Sequence, residues 1–131
     1  MVKEDTMTSI LDSVKKALEI PEGVNAWDAK LILYINMSLA KLRQAGVGNL
    51  VKVTGSSEKW SDITEGLNPI DDISPLIESY VHLDTLIKFD PPPPGIQKNM
   101  EESLMDIMLR LRMDFDMPND LRPLERTEDE A

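Results

Sequence analysis

An all-α fold, with a four-helix bundle-like body, a long loop between its second and third long helices and an extended C-terminal tail, is predicted by three features of the sequence. Four segments repeat apolar residues at the three-or-four spacing of a helix face. Aromatic residues make up only 5% of the chain against eight methionines, which favours a helical core of Leu, Ile and Met over a sheet sandwich. The run Asp90-Pro91-Pro92-Pro93-Pro94-Gly95 then cuts the last two periodic segments apart. Its prolines hold φ near -65° and donate no backbone hydrogen bonds, so it forms a stiff corner between two helices.

The first helix opens at Thr8 or Ser9, either of which can cap free amide groups, with Asp12 near the positive end of the helix dipole. Ile10, Leu11, Val14, Ala17 and Leu18 form its inner face, and Pro21 is expected to stop it at Ile20. Pro21-Glu22-Gly23-Val24 reads as a turn, after which Asn25 caps a second helix with Asp28 three residues on. Trp27, Leu31, Ile32, Tyr34, Ile35, Ser38, Leu39 and Leu42 give that helix a stripe broad enough for two neighbours, and it is expected to be the central one. Gly46 supplies its left-handed terminator.

From Gly46 to Asn68 the helical period is lost. Leu50 to Thr54 favours an extended stretch, Gly55-Ser56-Ser57 turns, and Ser61 to Glu65 fits one helical turn. Trp60 has two readings: a core anchor that pins the loop, or a contact residue for a partner.

The third long helix starts at Ser74 rather than Asn68, because Pro75 would otherwise sit inside a helix and cost about 3 kcal/mol. Its stripe runs through Ile73, Leu76, Ile77, Tyr80, Leu83, Leu86 and Ile87, with Phe89 and Asp90 extended before the prolines. The last helix is expected from Ile96 to Phe115, through Met100, Leu104, Ile107, Met108 and Leu111. The helical body therefore covers 1–116 and an acidic tail covers 117–131. The tail has too few apolar residues to support packing of its own.

Size and charge bound the function. A chain of 131 residues is one domain that can bury a core unaided. A net charge of -10 disfavours gripping phosphate backbones, though an acidic wall suits a conduit past which nucleic acid must slide. No cysteine is present, which excludes disulfides and thiolate chemistry. No signal peptide or membrane span is expected, since the amino terminus is charged and no uncharged run approaches about 18 residues.

Candidate chemistry is sparse. His82 is the single histidine, and no Gly-rich turn presents a serine to it, so it reads as a structural or surface residue. Asp71-Asp72 and Glu101-Glu102 are sequence neighbours that diverge by about 100° on a helix and do not converge on one proton or metal. Gly46-Val47-Gly48 follows a helix, lacks a third glycine and has no lysine in place, so it is no phosphate loop. The prolines could offer a polyproline ligand, but their amphipathic flanks favour the hairpin corner. Neither catalysis nor a cofactor is expected.

The chain resembles the head-tail connector (adaptor) proteins of long-tailed bacteriophages. The likeness lies in Ser9 to Lys16, in Asp28 to Gly48 with its ending Leu42-Arg43-Gln44-Ala45-Gly46-Val47-Gly48, in Lys59-Trp60-Ser61-Asp62, and in Ser79-Tyr80-Val81 running to Phe89-Asp90-Pro91-Pro92. Order and spacing carry it, over about residues 9 to 112. It differs from the family pattern in having four prolines rather than two and in its acidic tail. The resemblance implies a helical virion protein, located in the host cytoplasm before assembly. Twelve copies would form a ring below the portal protein and continue the DNA channel toward a stopper or tail-completion protein, with genomic DNA passing unbound. In that setting the loop around Trp60 meets the tail-side partner, and Leu121, Arg122, Leu124 and Arg126 anchor the tail on the portal. Two other classes compete: an acidic helical regulator or DNA mimic, which needs carboxylates along one continuous face, and a small enzyme, which needs a pocket around His82.

Overall fold

The computed structural model describes residues 9–65 and 74–116, and within them the side chains of 9–65 and 75–113. These residues form α1 (Ile10–Ala17), α2 (Asp28–Gln44), the single turn α3 (Ser61–Thr64), α4 (Ser74–Phe89) and α5 (Pro94–Asp116). Among the described residues there is no strand, only an isolated antiparallel bridge between Ser9 and Lys59, so the fold is all-α. The expected tail with Leu121, Arg122, Leu124 and Arg126, the Asn68-Pro69 signature, the Asp71-Asp72 turn and the side chain of Phe115 lie outside what is described.

The first helix begins where its cap predicts. Ser9 Oγ accepts the Asp12 amide at 3.2 Å, and Ile10, Leu11 and Val14 go to the core. Its end is earlier than Pro21 alone implies: α1 stops at Ala17, and Glu19 takes a left-handed φ of 62°. The Glu19 amide then reaches the Lys16 carbonyl at 3.0 Å and the Ile20 amide reaches Lys15 at 2.9 Å, so two terminal carbonyls are satisfied inside the chain. Those bonds offset the roughly 1–2 kcal/mol that a side chain costs in this conformation.

The start of α2 also differs from expectation. Asn25 does not cap it; Asn25 Oδ1 instead accepts from Lys15 Nζ at 3.0 Å, and the same ammonium pairs with Asp28 at 2.9 Å. A side chain committed to α1 cannot also cap α2, so the helix begins three residues later, at Asp28. Its far end follows the sequence: Gly46 is left-handed (φ 85°), and the Val47 amide bonds the Leu42 carbonyl at 2.9 Å with both side chains buried.

The long loop is organised by side chains that act as backbone partners. Asn36 Oδ1 accepts the Val53 amide at 2.7 Å while its Nδ2 donates to the Val53 carbonyl at 3.0 Å, the pairing a neighbouring strand would make. Asn49 Nδ2 donates to the Asp62 and Glu65 carbonyls, and the Asn49 amide to that of Ile63 at 2.7 Å. Gly48 allows this close return, because a β-carbon there would lie 2.6 Å from Ile63 Cγ2 and its φ is 78°.

At the hairpin, α4 starts at Ser74 as the sequence predicts. Phe89 is its last helical residue rather than extended, since only Asp90 directly precedes a proline. α5 starts at Pro94, two residues before the expected Ile96, because proline is permitted in a first turn where its missing amide has no helical partner. The corner therefore consists of Asp90 to Pro93.

The central helix is α4, not α2: it packs along α1, α2 and α5. An edge-to-face contact between Trp27 and Phe89, with centroids 5.8 Å apart, ties the start of α2 to the end of α4. Leu31, Ile35, Leu42, Ile63, Ile77, Val81 and Leu111 fill the core.

Candidate interaction surfaces

The two long helices that pack against α4, α2 and α5, carry apolar residues on the side turned away from it. In α2 the buried positions are Leu31, Ile35, Ser38, Leu39 and Leu42, and Leu33 and Met37 fall roughly half a turn away. They are 57% and 43% exposed. In α5 Leu104 and Leu111 are buried with Met100, Ile107 and Met108 half-buried, while Met105, Leu109 and Met113 form a row at four-residue spacing on the opposite side. These are 68%, 57% and 65% exposed. Ile96, expected on the inner stripe, is also exposed, because it lies in the first turn beside the corner. The signal for the outer rows was present in the sequence as the apolar residues left over once each inner stripe is assigned.

Trp60 is in the core at 3% exposure, which fits its anchoring role; a partner at this loop would meet its surroundings, including the exposed Leu50. Its ring packs edge-on against His82, with centroids 5.6 Å apart. His82 Nε2 shares a 3.0 Å hydrogen bond with Ser13 Oγ, so α1 supplies the neighbouring serine that no local motif announced. This pair cross-links α1, α4 and the loop.

Burial pushes the His82 imidazole below its ordinary value, so it is neutral in the fold and takes a proton more readily once unfolded. Stability from this group is complete above the ordinary histidine range and is lost as pH falls through that range toward the lower folded value. Thermal stability should therefore decline on acidification from about pH 7 to 5, and His82→Gln should flatten that decline in melts taken across the interval.

Asp84 is the one deeply buried carboxylate among the described residues, with its side chain 6% exposed. It accepts from Lys88 at 2.8 Å, from Lys41 at 3.3 Å and from Ser38 Oγ. Burial alone would raise the Asp84 carboxyl, but hydrogen bonds from Lys88 and Ser38 and the charges of Lys88 and Lys41 outweigh it and hold the group below the ordinary aspartate value. The network fastens α2 to α4 and leaves Asp84 no freedom to orient His82.

An open groove of about 780 Å³ runs between α1 and the turn after it, lined by Lys15, Lys16, Glu19, Glu22 and Glu78 among others. Among the described residues no group of three or more His, Asp or Glu side chains is placed to hold a metal ion, and no helix is long and apolar enough to cross a membrane. A family model described as "phage connector protein" matches residues 10–118. No curated protein and no solved structure matches the chain.

Proposed function

The chain belongs to the phage connector protein family, and from that membership we propose that it is a head-tail connector whose copies form a ring below the portal. The family match carries this reading, and the outward apolar rows of α2 and α5 support it, because such rows call for protein partners. The ring, of twelve subunits by the resemblance, continues the DNA channel and joins the capsid to a stopper or tail-completion protein. Its net charge of -10 lets genomic DNA pass without being held. The role is structural, without catalysis or cofactor. The protein is held in the virion, after a period in the host cytoplasm.

Within this reading the body, residues 1–116, builds the ring and the loop from Gly46 to Asn68 with Trp60 faces the tail side. The tail, residues 117–131, docks on the portal through Leu121, Arg122, Leu124 and Arg126, whose apolar and charge-assisted contacts offset the entropy of ordering it. A DNA mimic is less well supported, since Asp28, Glu58, Asp62 and Asp84 are engaged by partners within the chain.

Electron microscopy of intact particles tests the assignment. Density for several copies around the axis beneath the portal is expected; a single copy, or density elsewhere, overturns it. Particles made with a chain lacking residues 117–131 should retain little of the protein, while its helical content is unchanged. Full retention would remove the tail from the portal contact.

A further inference from the structure

We infer that the outer row of α5 on one copy docks against the outer face of α2 on the next, so that the contact is head-to-tail. This deepens the ring reading and rests on it. Charge, together with the need for the contact to repeat around a ring, selects the occupant of each face. Leu33 and Met37 on α2 are flanked by Lys30 and by Lys41, whose side chain remains 46% exposed although it pairs with Asp84. The row Met105-Leu109-Met113 on α5 is preceded, one turn earlier, by the exposed pair Glu101 and Glu102. An α5 row laid antiparallel on a second α5 row can set Glu102 toward Arg112, because Lys98 and Arg112 lie on the same side of the helix as the row, but such a contact joins one face to itself and ends at a dimer. An α2 face laid on a second α2 face opposes lysines. The mixed pairing brings apolar rows together, places Glu101 and Glu102 within reach of Lys30 and Lys41, and can repeat from copy to copy, while facing lysines disfavour α2 on α2.

The placement of the two faces suits repetition. Each helix presents its inner side to α4, so both outer faces remain available on one copy at the same time. A contact joining two different faces propagates from copy to copy and closes into a ring when the rotation allows, whereas a contact of one face with itself stops at a dimer. Methionine at three of the five apolar positions lets the surfaces adapt to each other as the ring closes.

The chain has no cysteine, so introduced thiols report unambiguously. Under oxidising conditions, full-length Met37→Cys alone and Leu109→Cys alone should stay monomeric on a non-reducing gel. Their mixture should give a dimer and nothing larger, and the double variant should give a ladder of dimers, trimers and higher species. Adding Glu101→Lys and Glu102→Lys to the double variant should cut the ladder about tenfold, and Lys30→Glu should restore part of it. A dimer from Leu109→Cys alone overturns the head-to-tail pairing in favour of a symmetric one. Absence of a ladder while the unmodified chain sediments as an oligomer overturns this pairing and leaves the ring standing. Absence of both, in solution and in particles, overturns the pairing and the ring together.

Discussion

Trp60→Ala should lower the stability of the isolated chain by about 3–5 kcal/mol, the range for emptying a site the size of a buried indole. A domain of this size has about 5–15 kcal/mol in total, so the variant should be close to unfolding at moderate temperature. The reason is placement. At 3% exposure the ring sits under the loop, edge-on to His82, while the Trp60 carbonyl accepts the Ile63 amide at 3.1 Å to form the single turn α3. The indole nitrogen is buried without a hydrogen-bond partner, so Trp60→Phe gives up area and no polar contact. It should cost clearly less than alanine. Urea melts rank the variants, and amide exchange in the alanine variant should rise first at Asn49 and Val53, whose bonds depend on the loop's position. Equal stability of Trp60→Ala and the parent would exclude the anchoring role and return the residue to partner contact.

The second large effect is expected at Asp84. Asp84→Asn keeps the volume and removes the charge, leaving Lys88 and Lys41 beside each other without an anion and Ser38 with a weaker acceptor. Breaking a buried ion pair costs about 3–5 kcal/mol when the remaining charge is trapped. Here Lys41 can turn toward water, so about 2–3 kcal/mol is expected. Adding Ser38→Ala to Asp84→Asn should recover little of that loss, because Lys88 and Lys41 still face each other without an anion. The pH dependence has a fixed sign. Asp84 is held below its ordinary value in the fold, so its contribution is complete above the ordinary aspartate range and is lost as pH falls through that range toward the folded value. Acid melts of the parent should steepen below about pH 4, and Asp84→Asn should lose that component. It is separate from the His82 decline, which occurs at higher pH.

The likeness to connectors was legible from the order of short segments, and the family match over residues 10–118 agrees with it. The exposed apolar rows were less so. Trp60 was singled out and lies in the core, while Leu33, Met37, Met105, Leu109 and Met113 were not assigned and are exposed. The inner stripes were assigned from periodicity, and the apolar residues left over on each helix were not read further. Asn25 shows a limit on the polar side: its cap pattern was sound locally, but Lys15 from another helix claimed the side chain.

By itself the sequence determined where helices are allowed to exist: the Ser9 cap, the Gly46 terminator, the Ser74 start and the proline corner are each decided by backbone chemistry within a few residues. Only the tertiary structure decided that α4 is central, that Asn36 pairs the backbone of Val53, that Ser13 meets His82, and that α2 and α5 turn their second apolar rows outward. The reason is physical. Periodicity fixes the angle of a side chain about its own helix axis, whereas its partner depends on which other helix arrives at that angle, and that is settled by the packing of the whole chain.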